Sequence, residues 1–209
     1  MMKNTLTAAL LLATALYSSA QQANNGNGTG GPGSFSLGTR NTISVFNDDE
    51  GIGKGIGGQF RLQLTNRLNT EWYFDYITSR NGQYTFRNDY HIGWSVLLYT
   101  RSNHSFEKLL QPYLIAGHCF DYSKVMAQND KANTASRLSM ATQAGIGTHI
   151  NITRKLDCSL SGQYMLHFGK ELETNIDADQ VFIERKPFTH PHGHLLVTIS
   201  FNYLFADLW

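Results

Sequence analysis

Apolar and polar side chains alternate with a period of two in stretch after stretch between positions 34 and 205. That spacing belongs to β-strands, whose successive side chains point to opposite faces. Over 56–65, Ile56, Gly58, Phe60, Leu62 and Leu64 alternate with Gly57, Gln59, Arg61, Gln63 and Thr65. Tyr90, Ile92, Trp94, Val96 and Leu98 form another apolar face. Leu195, Val197, Ile199, Phe201, Tyr203 and Phe205 form a third, against His194, Thr198, Ser200 and Asn202. Helical spacing is absent beyond the first twenty residues, so the chain is all-β. The pattern predicts eight strands, at 34–47, 55–67, 70–80, 86–100, 110–123, 136–151, 155–168 and 192–205. The expected architecture is an eight-stranded antiparallel up-and-down transmembrane β-barrel.

Alternation alone does not say which face is inside. A soluble eight-stranded barrel of the lipocalin kind turns its apolar face inward. Three features point the other way here. The polar faces carry small uncharged residues, such as Gly145, Gly147, Ser159, Ser161 and Ser200, which suit a narrow interior. Charged residues are only 16% of the chain, against about 25% in soluble domains. Trp72, Trp94 and Tyr203 sit on the apolar faces, as residues at a membrane interface do. In lipid every strand edge must be paired, and a closed barrel is the sheet that pairs them all.

The first twenty residues read as a signal peptide. Lys3 gives the positive start, 6–16 the short apolar run, and Ser18-Ser19-Ala20 a small-residue cleavage site. The run is too short for a spanning helix, which needs about 20 apolar residues. Residues 21–33, QQANNGNGTGGPG, have nothing apolar to bury and read as a flexible tail. Residues 34–209 are then one barrel domain. The net charge of +1 comes with no basic stripe, so no nucleic-acid partner is expected.

Gln111-Pro112-Tyr113-Leu114-Ile115-Ala116-Gly117 resembles the Pro-Tyr-Leu-x-Ala-Gly strand of small outer-membrane β-barrel proteins, the OmpA/OmpX-like group. Ala144-Gly145-Ile146-Gly147 through Tyr164 is similar to the hairpin that follows in that group, and 192–205 to its closing strand. At His118-Cys119-Phe120 the chain departs from the group's Gly-x-Gly. The resemblance implies the bacterial outer membrane as location and the barrel domain without the peptidoglycan-binding domain. Such barrels keep both termini and their short turns in the periplasm and send longer loops outward. The longer polar connections 124–135 and 169–191 are then outward loops for an extracellular partner. A monomer in outer-membrane lipid is expected, with no cofactor.

Three sets of residues invite a chemical reading. Arg61 and Asp75, both inward, are expected to pair across the turn 67–69. His167, His192 and His194 are expected to meet near the outer mouth, where imidazoles can hold zinc or copper or respond to pH; the bland alternative is a polar rim. No catalytic residue is assigned. Outer-membrane lipid A deacylases carry a His-x-Ser pair, whereas His149-Ile150-Asn151 and His167-Phe168-Gly169 lack the serine. Cys119 and Cys158 fall on strands that are not neighbours, too far apart for a disulfide, so two free thiols are expected. Three roles remain: a structural or loop-presenting barrel with a packed interior, a narrow porin-like channel, or a metal- or pH-responsive mouth.

Overall fold

The computed structural model describes residues 31–46, 51–81, 84–100, 109–177, 180–187 and 191–209. The signal segment 1–20 and most of the 21–33 tail lie outside them. Among the described residues ten strands follow in chain order: β1 (Ser34–Phe46), β2 (Ile52–Gln63), β3 (Leu68–Asn81), β4 (Thr85–Tyr99), β5 (Leu110–Ala127), β6 (Thr134–Asn151), β7 (Leu156–Phe168), β8 (Glu171–Asp177), β9 (Gln180–Lys186) and β10 (His192–Asp207). Eight of them close into a barrel in the order β1-β10-β7-β6-β5-β4-β3-β2. Every barrel pairing is antiparallel. The eight-stranded barrel expected from alternation is the observed one.

The faces are assigned as expected. Arg40, Arg61, Asp75, His91, Ser159 and Ser200 are buried inside, while Ile56, Trp72, Ile92, Ile146 and Tyr203 are exposed outside. Aromatic rows band the exterior. Phe60 stacks on Trp72 and Trp72 meets Trp94 at a tilt, each at a ring distance of 6.0 Å, and Tyr76, Tyr90 and Tyr122 follow one another at 5.0 and 6.1 Å.

Two expectations about the loops need correction. Residues 124–135 are mostly strand: Val125 pairs with Ala135 and Met126 with Thr134. Alternation continues past the barrel wall here, and the connection shrinks to 128–133. A strand crosses a membrane in about 9–11 residues, whereas β5 and β6 have 18 each, so this hairpin projects beyond the wall. The segment 169–191 also holds a two-stranded sheet of its own, with Leu172 opposite Arg185 and Thr174 opposite Ile183. Its Leu172-x-Thr174-x-Ile176 run has the same period of two as the barrel strands, and Val181-Phe182-Ile183 is a short β-branched and aromatic run of the kind strands favour.

At the other end the β2–β3 and β6–β7 connections are tight. Leu64 N–H donates to Leu68 C=O at 2.9 Å, and Thr65 Oγ1 accepts from the N–H groups of Arg67 and Leu68. Gly33, at φ 93°, lets the entering chain turn onto the wall. Its N–H donates to Gln63 C=O, and its C=O accepts from Leu208 N–H.

The candidate site inside the barrel

The interior is filled by polar side chains in layers. At the terminal end, Arg61 reaches across the lumen to Asp157, and its guanidinium also lies 3.0 Å from His149. Around it, Tyr99 packs edge-on against His149 and takes a hydrogen bond from Asn69 at 2.9 Å. A cavity of about 40 Å³ remains at this end, lined in part by Arg61, Asn69, Tyr99 and Asp157.

The next layer is built on Arg40. Its Nε meets Asp75 at 3.0 Å and its Nη1 meets Glu71 at 2.7 Å, while its guanidinium lies 4.2 Å over the Tyr73 ring. Arg40 sits on β1 and Asp75 on β3. Between them, in the same row, is Gly57 of β2. With no side chain there, the arginine passes over β2 and reaches β3. Tyr73 then donates to Gln143, and Gln143 to Ser95, each at 2.8 Å.

The expected Arg61–Asp75 pair is therefore wrong in partner, though both side chains are inward. The turn is centred on Asn66, about two residues earlier than expected. Moving a hairpin's centre by two moves each partner by four, so Arg61 stands opposite Glu71 rather than Asp75. Arg40 takes Asp75 and Glu71, and Arg61 takes Asp157.

Toward the loop end lies a cluster of imidazoles around one carboxylate. His91 stands directly opposite Asp121. Its Nε2 is 3.4 Å from Asp121 Oδ1, and His167 Nδ1 is 3.2 Å from Asp121 Oδ2. That second oxygen also accepts from Ser123 at 3.0 Å and Ser139 at 3.2 Å. His194 completes the group, with Nε2 3.3 Å from His167 Nε2 and Nδ1 3.0 Å from Ser44 Oγ. Of the three expected histidines, the fold brings His167 and His194 into contact. His192 is in register with His167 at the rim and is less buried; the neighbouring His190 lies outside the described residues.

The reading by spacing missed His91 and Asp121. Each occupies the inward parity between outward apolar residues, His91 between Tyr90 and Ile92 and Asp121 between Phe120 and Tyr122. That parity was the available signal. Among the described residues, no group of three His, Cys, Asp or Glu side chains is arranged to hold a metal ion.

His149, Ser159 and Asp157 also meet, at the terminal end. Ser159 Oγ is 2.6 Å and Asp157 Oδ1 3.8 Å from the same nitrogen, His149 Nδ1. A serine–histidine–aspartate relay needs the serine and the acid on opposite ring nitrogens, so this trio packs the lumen without the order that catalysis requires. Both cysteines are free, Cys119 buried in the lumen and Cys158 half-buried.

A closed barrel with a polar, ion-paired inside and an apolar, aromatic-banded outside is a membrane barrel, turned inside out relative to a lipocalin. Its fold is that of the small bacterial outer-membrane β-barrels. No protein-family model and no curated protein sequence matches the chain. Solved structures share the fold. Neisserial surface protein A is similar at a TM-score of 0.57 and 14% identity, over 81% of this chain and 96% of that one. A major outer membrane protein from Thermus thermophilus is similar at 0.56 and 11%, over 81% and 98%. The outer membrane protein OprG from Pseudomonas aeruginosa is similar at 0.54 and 13%, over 83% and 96%.

Proposed function

We propose that this chain is a non-enzymatic, monomeric outer-membrane barrel that anchors and presents its loop-end elements to a partner outside the cell, with the lumen closed by its own side chains. The observation that carries this reading is the β8–β9 hairpin. It forms a separate two-stranded sheet packed at the loop end of the barrel, with Leu172 buried, and is tied to the wall where Asn133 donates to Val181 C=O and Arg137 to Lys170 C=O. It holds Phe182 exposed. A barrel that served only as a membrane plug would have no use for an ordered, outward hairpin with an exposed ring. Closure of the lumen is supported by the Arg40 and Arg61 networks, which occupy the cross-section that a channel would need, since an eight-stranded barrel has room for side chains and little else.

The test is photocrosslinking on intact cells from a photoreactive residue at position 182, with one at the lipid-facing position 60 as control. A discrete protein adduct from 182 and none from 60 is expected. If 182 gives no adduct, the presentation reading fails. Single-channel recording on the refolded barrel checks the closed lumen: no stable conductance is expected, and a steady conductance would make the protein a narrow channel instead.

A further inference from the structure

We propose that Arg80 and Lys124, with Asn88 between them and Lys54 beside Arg80, form a site on the outer wall for an outer-leaflet glycolipid whose headgroup carries two phosphates. The inference is independent of the presentation role, since it concerns the lipid-facing wall and leaves the β8–β9 hairpin out.

Charge makes the first case. In the loop-end half of the barrel, the charged side chains on the outer face of the described wall strands are Lys54, Arg80 and Lys124, all exposed. The carboxylates of the same strands, Asp75, Asp89 and Asp121, point inward and are buried. The inward arginines meet carboxylates, Arg87 at Asp89 and Arg137 at Asp121. The three outward cations meet none among the described residues. This part of the wall is therefore purely cationic and calls for an anion from outside the chain.

Depth makes the second. Both chain ends lie at the opposite end of the barrel, so the loop end faces out of the cell. The row Tyr76, Tyr90 and Tyr122 is the kind of aromatic belt that lies level with the lipid headgroups. Lys124 is the next outward residue beyond Tyr122, and Arg80 the second beyond Tyr76. Both therefore stand where the phosphates of outer-leaflet lipids lie, and phosphate is the anion that Arg and Lys bind through charge-assisted hydrogen bonds.

Spacing selects the headgroup. Thr78, Asn88 and Lys124 are register partners across β3, β4 and β5. With strands about 4.8 Å apart and a rise of about 3.4 Å per residue, the Cα atoms of Arg80 and Lys124 are roughly 12 Å apart. The Arg80 guanidinium lies 4.8 Å over the ring of Phe86, its register partner, which fixes one end of the site. Lys54, opposite Thr78, adds a second cation at that end. Between the ends, Asn88 Oδ1 accepts from Tyr76 Oη at 3.2 Å, so the Asn88 amide N–H groups are the ones left to face a ligand. The site thus offers donors throughout, with charge at both ends. A phospholipid with one phosphate fills one end. A disaccharide with a phosphate on each sugar fills both and sets its own oxygens against Asn88.

The test is native mass spectrometry of the untagged, full-length chain refolded in detergent and titrated with diphosphoryl lipid A. Divalent cations are left out, so that Asp48, Asp49 and Glu50, which fall outside the described residues, cannot hold phosphate through a bridging ion. Wild type is expected to take up one lipid per chain. Monophosphoryl lipid A and phosphatidylglycerol are each expected to require at least tenfold higher concentration for half-saturation. Arg80→Gln/Lys124→Gln is expected to weaken diphosphoryl lipid A binding at least tenfold. Arg67→Gln/Arg154→Gln, which removes the same charge from exposed turns at the other end, is expected to bind as wild type does. A boiling-dependent gel shift checks that each variant folds. No one-to-one complex with wild type, equal binding of either singly phosphorylated lipid, unchanged binding in Arg80→Gln/Lys124→Gln, or the same loss in both double variants would each overturn the proposal.

Discussion

At the scale of single residues, the barrel is stabilised from within by charge pairs that water cannot replace. Arg40 is almost fully buried, and its two carboxylate partners, Glu71 and Asp75, are buried with it. Removing one member of such a set leaves the others charged and unpaired, which costs about 3–5 kcal/mol. Arg40→Met is therefore expected to lower the unfolding free energy by about that much, read from the urea midpoint of the refolded protein. Gly57→Ala acts on the same pair from the side. A methyl there would come within 2.9 Å of the Asp75 Cα, in the row that Arg40 crosses. Overpacking of this kind costs about 1–3 kcal/mol, and a midpoint unchanged from wild type would show that Arg40 does not need the gap. On the outside the rule inverts. Ile92 is mid-strand and 60% exposed, so Ile92→Arg is expected to destabilise by about 2–4 kcal/mol in bilayers, as for an arginine at the midplane. In a barrel whose outside met water, the same change would be nearly neutral.

At the scale of elements, strands were legible in the sequence because alternation is a local property. Which residues faced in also followed, since parity needs no knowledge of neighbours. The Arg61–Asp75 pairing did not follow, for two reasons. Register depends on where a turn is centred, and the Thr65 hydroxyl accepting from Arg67 and Leu68 N–H places it near Asn66. Lumen partners also need not be neighbours in the sheet, as Arg40 shows by passing over Gly57. The same limit hid the histidine–aspartate cluster. His167 and His194 lie on adjacent strands and were readable together, whereas His91 joins them only across the closed lumen. The β8–β9 hairpin was missed because its polar residues outweighed its short apolar runs. It forms its own sheet, so replacing residues 171–186 by a short Gly-Ser linker is expected to leave the barrel's urea midpoint within about 1 kcal/mol of wild type. A collapse of the gel shift in that variant would mean that the hairpin helps to close the barrel.

At the scale of the whole molecule, the distribution of chemistry over inside and outside defines what the chain is. A soluble barrel and a membrane barrel can share strand number and connectivity; they differ in which face holds the arginines and which the tryptophans. Trp72 and Trp94 occupy one aromatic row on the outer wall, and the third tryptophan, Trp209, lies beyond β10 at the chain end. The most direct measurement is tryptophan fluorescence of the refolded protein in vesicles whose acyl chains carry bromine, with Trp72→Phe/Trp94→Phe as the reference that retains only Trp209. The structure predicts strong quenching in wild type by acyl-chain bromine, falling sharply in the double variant. Fluorescence in wild type that is indifferent to the brominated chains would contradict a lipid-facing outer wall, and with it the transmembrane barrel.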